Sequence, residues 1–226
     1  MELCYNGLGD FMRLRNVSYA KEKINAHPEY IVTVAREEKK LLNNLFNDSK
    51  PLHVEIGAGK GQFIHTMAKR NPDHNHIAIE MYDSVIVRAL EKVIDDPLPN
   101  LYLVKMDAQQ IDECFKESSI DSIYLNFSDP WPKARHEKRR LTYKKFLDKY
   151  KLLLKPGGLI EFKTDNRTFF EYSLKSFVEY GVNIHDLSLD VHAEVNPANI
   201  MTEFEEKFKD DGPIYKIIVS FKEEQS

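Results

Sequence analysis

Five runs of strand character recur along this chain, each followed by a turn and a segment of helical period, and that alternation leaves few folds open. The runs are Leu52 to Ile56, His76 to Glu80, Leu101 to Met106, Ile120 to Asn126 and Leu159 to Lys163. Gln62 to Lys69, Ser84 to Ile94, Ala108 to Phe115 and residues 141–154 read as the intervening helices, and the helix after Asp165-Asn166 carries Phe170, Leu174, Phe177 and Val178 on one side. Strands that alternate with helices in this way pack as a parallel sheet covered on both faces. The C-terminal end departs from the pattern. Residues 182–191 and Ile214 to Phe221 both read as strands with an irregular, partly helical stretch between them, so a hairpin-like pair at one edge makes the sheet mixed. Residues 19–47 read as helical and peripheral, with Ile31, Val34, Leu41, Leu42 and Leu45 as their apolar positions.

A chain of 226 residues can bury a substantial core in one main domain. The expected division is an N-terminal extension over 1–11, a basic helical segment over 12–50 and the main domain over 51–226. No apolar run approaches a bilayer span, and no signal-peptide pattern opens the chain. Cys4 and Cys114 match no metal-site spacing and suggest a reducing cytoplasm, and neither they nor the scattered histidines make a metal site expected. The net charge of −4 argues against a protein that coats nucleic acid indiscriminately. The charge is uneven, however: residues 133–151 hold nine Lys or Arg against Glu137 and Asp148. Lys144, Lys145, Lys149 and Lys151 flank apolar positions and read as a solvated helix face, whereas the block from Arg135 to Arg140 precedes that helix and is placed to meet phosphates.

That block follows the most chemically loaded stretch of the chain, Asn126-Phe-Ser-Asp-Pro-Trp-Pro-Lys133, at the end of the fourth strand-like run. In open α/β sheets ligands bind at the carboxyl ends of strands. A carboxylate (Asp129), a rigid turn, a large aromatic (Trp131) and a run of cations at such an end suit chemistry on a nucleic-acid base. Other acids gather at neighbouring strand ends. Gly57-Ala-Gly59-Lys-Gly61 turns the first strand into its helix, but Glu55 precedes it, a poor neighbour for a pyrophosphate and a good one for a cationic ligand. Glu80 closes the second strand, 19 residues beyond Gly61, where a carboxylate takes ribose hydroxyls, and Asp107-Ala108 closes the third, within reach of an adenine. S-adenosylmethionine combines these features: a nucleoside without phosphate that carries a sulfonium and an ammonium group.

The pattern resembles the class I methyltransferase fold, which implies a Rossmann-like, seven-stranded, mostly parallel sheet with helices on both faces and an antiparallel C-terminal strand matching Ile214 to Phe221. More closely, Glu55-Ile-Gly57-Ala-Gly59-Lys-Gly61, Glu80, Asp107, Ser128-Asp-Pro-Trp-Pro-Lys133, Lys163-Thr-Asp165-Asn166 and Thr202-Glu-Phe-Glu-Glu-Lys-Phe208 resemble the bacterial tRNA (guanine-N7-)-methyltransferase family from Met12 onward. The first eleven residues depart from it. The resemblance implies methyl transfer from S-adenosylmethionine to guanine N7 in the variable loop of tRNA, by a cytoplasmic monomer or homodimer without a metal or a membrane anchor. It assigns Glu55, Gly57, Gly59, Gly61, Glu80, Asp107, Ala108 and Asp129 to the cofactor, with Asp129 at the reacting centre. It assigns Lys133, Asp165, Thr202, Glu203, Phe204 and Glu205 to the guanine, while the basic block Arg135, His136, Glu137, Lys138, Arg139 and Arg140 is read as the RNA contact from its charge and position. Thr202-x-x-Glu205 also reads as a capping box opening a short helix. Two rivals remain: an amino-group methyltransferase of the N6-adenine type, whose Asp-Pro-Pro-Tyr turn Asp129-Pro-Trp loosely resembles, and a non-catalytic RNA-binding module. A nicotinamide dehydrogenase is a third, more distant one.

Overall fold

The computed structural model describes residues 3–5, 11–13, 17–36, 39–193 and 196–222. Strands β1 (Leu3–Tyr5) and β2 (Phe11–Arg13) pair as a separate antiparallel hairpin. The rest of 1–11, expected as an extension, lies outside the described residues.

The main sheet grows from the most apolar segments. After α1 (Ala20–Ala26) and β3 (Ile31–Thr33) come β4 (Leu52–Ile56), α2 (Gln62–Arg70), β5 (Asn75–Glu80), α3 (Asp83–Asp95), β6 (Leu101–Lys105), α4 (Ile111–Cys114) and β7 (Ile120–Asn126). The chain continues through α5 (Lys144–Leu153), β8 (Leu154–Thr164), α6 (Arg167–Tyr180), β9 (Val182–Ser188), α7 (Glu203–Phe208) and β10 (Tyr215–Phe221). Every residue of β4 is buried, as a strand covered on both faces requires. Its alternation divides the core. Leu52, Val54 and Ile56 belong to the cluster formed with α4, α5 and α6, while α1, α2 and α3 pack a second cluster that includes Ala78, Leu103 and Tyr124.

The strand order is β3-β6-β5-β4-β7-β8-β10-β9. Strand β10 runs antiparallel to both neighbours, so the insertion expected for Ile214 to Phe221 is present. The strand count is corrected from seven to eight. The extra edge strand is β3, whose Ile31, Val32 and Thr33 pair parallel with Leu103, Val104 and Lys105. Residues 19–47 are therefore not one helical segment. Helix α1 stops at His27 before Pro28, the β-branched run that follows extends along β6, and only 42–45 coil again as a 3₁₀ turn.

The chain steps from β4 outward through β5 to β6, then returns to the opposite side of β4 as β7. The carboxyl ends of β4 and β7 thus flank the switch point, where such sheets open a crevice. No described helix is long and apolar enough to cross a membrane.

Candidate functional site

The turn after β4 is built on backbone that only glycine adopts easily: Gly57, Gly59 and Gly61 have φ of 76°, 60° and 76°. A side chain at Gly57 or Gly59 would meet nothing within 4 Å, because both face open space, whereas one at Gly61 would strike Cβ of Ala89 at 2.8 Å. The first two glycines therefore keep a cavity clear, and the third lets α2 pack on α3. Backbone N–H groups of Gly57 and Ala58 donate to the Ile79 carbonyl at 2.8 and 3.0 Å, joining the turn to the end of β5.

The cavity beneath that turn has a volume of about 530 Å³. It brings together Gly57, Gly59, Glu80, Asp107, Ala108, Asp129, Trp131, Arg139, Asp165 and Phe204, residues that the sequence singled out from seven separate stretches. Glu80 is held in place by three donors: its Oε1 accepts from the N–H of Met81 (2.8 Å) and Tyr82 (3.1 Å), and its Oε2 from Gly59 N–H (3.2 Å). Burial raises its carboxyl pKa above the ordinary value, those backbone donors oppose the rise, and the nearby Asp129 carboxylate adds to it. Asp107 caps the 3₁₀ turn Ala108–Gln110 by accepting from Gln109 N–H at 2.9 Å. Asp165, at the end of β8, is half-buried, and burial raises its pKa too. A site crowded with desolvated acids favours a cationic ligand. The buried Ser128 hydroxyl on the cavity wall lacks a hydrogen-bond partner, which leaves a polar group for a ligand to satisfy. With the open glycine cradle, these features fit an S-adenosylmethionine-sized nucleoside.

The remaining expected residues lie outside the lining, and of the basic block Arg139 alone reaches it. Glu55 sits beneath the turn, 1% exposed, where its Oε1 accepts from Asn126 Nδ2 at 2.9 Å. Burial pushes its pKa up to about 8. Lys133, Arg135, Lys138 and Arg139 are exposed on and beside the 3₁₀ turn Ala134–Arg139, with His136 and Glu137 half-buried among them. Burial and the cations around it lower the His136 pKa. Arg139 lies 4.8 Å over the Trp131 ring, and His136 meets that ring edge-on at 5.6 Å. Arg140 faces inward. Its Nε donates to the Pro130 carbonyl at 2.9 Å, its Nη2 to the Trp131 carbonyl at 3.1 Å, and its guanidinium rests 4.0 Å over Tyr172.

Around α7 the capping expectation holds on one side: Thr202 Oγ1 accepts from Glu205 N–H at 3.0 Å. The Glu205 carboxylate does not reach back to the cap. It is fully buried, and its Oε1 accepts from Asn199 Nδ2 at 2.8 Å. Glu203 pairs with Lys92 of α3 at 2.9 Å. Phe204 packs on Phe127 with ring centroids 4.9 Å apart, and both line the cavity. Phe127 (φ 50°) and Arg36 are wall residues that sequence reasoning did not single out. Phe127 lay inside the recognised motif without a polar group to mark it, and Arg36 gave no signal. Among the described residues no group of three or more His, Cys, Asp or Glu could hold a metal ion.

The fold alone is shared with solved structures of low identity. An antibiotic-related methyltransferase superposes with a TM-score of 0.60 at 18% identity, covering 82% of this chain and 94% of that one. The 16S rRNA methyltransferase KamB gives 0.60 at 13%, covering 84% and 99%. A SAM-dependent methyltransferase from Aquifex aeolicus gives 0.55 at 15%, covering 91% and 98%. Sequence relatives are far closer. The chain is 53% identical over 211 residues to the tRNA (guanine-N(7)-)-methyltransferase of Geobacillus sp. (strain WCH70), covering 93% of this chain and 96% of that one. The namesake enzyme of Lactiplantibacillus plantarum is 51% identical, covering 93% and 99%. That of Streptococcus pneumoniae is 48% identical, covering 93% and 100%. A family model described as a putative methyltransferase matches residues 49–217, a stretch that holds every wall of the cavity except Arg36. With half of all positions shared along nearly its full length, this chain belongs to the tRNA (guanine-N(7)-)-methyltransferase family.

Proposed function

We propose that this protein transfers the methyl group of S-adenosylmethionine to N7 of a guanine in the variable loop of tRNA, in the cytoplasm and without a metal. The observation that carries the reading is one cavity joining a nucleoside end (Gly57, Gly59, Glu80, Asp107, Ala108) to a base end (Asp129, Trp131, Asp165, Phe204) beside exposed cations. S-adenosylmethionine supplies an electrophilic methyl whose bond to sulfur breaks as the bond to N7 forms. Guanine N7 carries a lone pair and no proton, so the protein's task is alignment and not proton removal. Glu80 takes the ribose hydroxyls, and Asp107-Ala108 the adenine edge. Glu55, buried beneath the turn and holding Asn126 through its Oε1, supports the turn at the ammonium end.

Positive charge passes from sulfur to the purine ring as the methyl moves. Asp129 and Asp165 stabilise it there, a contribution of at most about 4 kcal/mol for a carboxylate 4 Å away at an effective dielectric near 20. Asp165 also accepts from the guanine N1–H and amino group. Phe127 and Phe204 supply apolar surface for the base plane, and Trp131 with Arg139 extends it toward the RNA. Side chains cannot reach N7 in the deep groove of an A-form helix, so the base must be exposed or turned out. Lys133, Arg135, Lys138 and Arg139 then hold the phosphates. Mapping the methyl on bulk tRNA after incubation with S-adenosylmethionine and a chelator tests the reading; methyl on an adenine amino group, or none at all, refutes it.

A further inference from the structure

Lys163 is a lysine almost without solvent, 1% exposed, on the strand that leads into Asp165. A buried ammonium is costly unless paired and hydrogen-bonded, so its partners report what it is there to hold. Its Nζ donates to Asn199 Oδ1 at 2.7 Å and to the Ile200 carbonyl at 3.3 Å. Oε2 of Glu205, which has no hydrogen-bond partner, faces it at 3.6 Å, and Oε1 of Glu161 lies at 3.7 Å. Asn199 closes the circuit by donating to Glu205 Oε1.

We propose that Lys163 is a positioning residue for methyl transfer, with Glu205 as its internal counter-ion. Resting on the function proposed above, the inference assigns the Lys163–Asn199–Glu205 circuit the task of seating residues 196–208 on the sheet. Ile200 joins the buried cluster on that face, Thr202 caps α7 over Glu205, and Phe204 comes to rest on Phe127 at the cavity wall. Backbone from the same Lys163 accepts from Phe127 N–H at 2.9 Å, so one residue fixes both rings of that wall. Hydrogen bonds of defined direction set this register; an apolar contact of equal size would leave it free to slide.

Lys163→Met keeps most of the length of the side chain and removes its ammonium group. Residues 196–208 should then exchange their amide hydrogens faster while β4 and α2 do not change, a readout independent of catalysis. Single-turnover transfer at saturating cofactor and tRNA should fall about 100-fold, as a misplaced wall predicts, with cofactor affinity retained. Adding Glu205→Gln should recover part of that rate, because the buried carboxylate, left with only Asn199 and the His192 ring (3.0 Å) beside its Oε1, is then neutral. Should Lys163→Met fail to fold, Asn199→Ala removes the strut and leaves the ion pair; it should still speed exchange over 196–208 and slow transfer by about tenfold. Unchanged exchange over 196–208 in the variant measured, or a double variant whose losses simply multiply, overturns the proposal. Wild-type enzyme placing its methyl elsewhere overturns the function and leaves the exchange result standing.

Discussion

Replacing Arg140 by methionine separates two roles that the sequence cannot tell apart. In the basic run Arg140 looks like one more phosphate contact, yet its guanidinium is spent on the carbonyls of Pro130 and Trp131 and on the Tyr172 face. The loop it grips holds two non-glycine residues at positive φ, Phe127 at 50° and Trp131 at 42°. Such residues cost roughly 1–3 kcal/mol each and persist only when their surroundings impose them. Two hydrogen bonds from a charged donor contribute about 1.5–3 kcal/mol apiece. The clamp and the strain are therefore of the same size, and removing the clamp lets the Asp129-Pro-Trp turn relax away from the cavity. Single-turnover methyl transfer at saturating tRNA should fall by about 100-fold or more. Arg140→Lys should recover little, since an ammonium cannot span both carbonyls with a planar fork. The log-log salt dependence of tRNA affinity should hardly change, whereas Arg135→Met with Lys138→Met should flatten it by about 0.7 to 0.9 per lost contact. If Arg140→Met flattens the slope by that amount and turns over at the wild-type rate, the clamp is wrong and Arg140 is a phosphate ligand.

Asp165→Asn keeps the shape of the base end but swaps an acceptor for a donor, so transfer should fall at least ~100-fold, about 2.7 kcal/mol, with cofactor affinity and salt slope intact. A near-wild-type single-turnover rate would remove Asp165 from guanine recognition. Gly61→Ala combines φ of 76° with a 2.8 Å clash on Ala89, which should cost about 2–5 kcal/mol in urea unfolding without altering the m-value; a loss under about 1 kcal/mol would show that α2 and α3 adjust freely. Stability without cofactor should be greatest near pH 6.5. On the acid side, burial and neighbouring histidines lower His53 to about 4 and His76 to about 3, so the unfolded chain takes up protons below about 6.5 that the folded state refuses, and stability falls. On the alkaline side, Glu55 at about 8 keeps a proton that the unfolded chain has released, so stability falls between pH 6.5 and 8, and Glu55→Gln should abolish its share of that limb. Equal pH dependence in wild type and Glu55→Gln would contradict the buried, protonated carboxyl.

What the sequence made legible was periodic or local. Buried runs such as Leu52 to Ile56, the glycine turn, and the acids at strand ends all follow from spacing within a few residues of themselves. What it concealed depended on partners far along the chain. Ile31 and Val34 satisfy helical spacing with Leu41 and Leu45, and only pairing with Leu103 to Lys105 makes their segment a strand. Thr202-x-x-Glu205 announced a cap, and its threonine caps, but the glutamate turns inward because a buried ammonium waits on β8, some forty residues earlier. His53, His74 and His76 read as scattered, yet parallel pairing of β4 with β5 stacks them, with His53 4.7 Å from His74 and 5.4 Å from His76. Positive φ at Phe127 and Trp131 has no glycine to advertise it, which is why the work of Arg140 was invisible.

A chain of net charge −4 can recognise a polyanion because its two sets of charges act through different media. The cations Lys133, Arg135, Lys138 and Arg139 are exposed and work through solvent, where screening limits their reach to about 8 Å at physiological salt. They need only meet phosphates in contact. The acids Glu80, Asp129 and Asp165 stand in or against a shielded cavity, where the effective dielectric is lower and their pull on a cation is several times stronger than in water. Each set is thus nearly blind to the other's ligand. Under the proposed function, the acids would attract the sulfonium without repelling the tRNA backbone, and the cations would draw in tRNA without weakening the cofactor site. Trp131, with Arg139 above it and its carbonyl held by Arg140, marks the border between the two media. In the proposed reaction a base turned out of the RNA would cross that border to reach the methyl, leaving its phosphate on the exposed side and its ring among the half-buried acids.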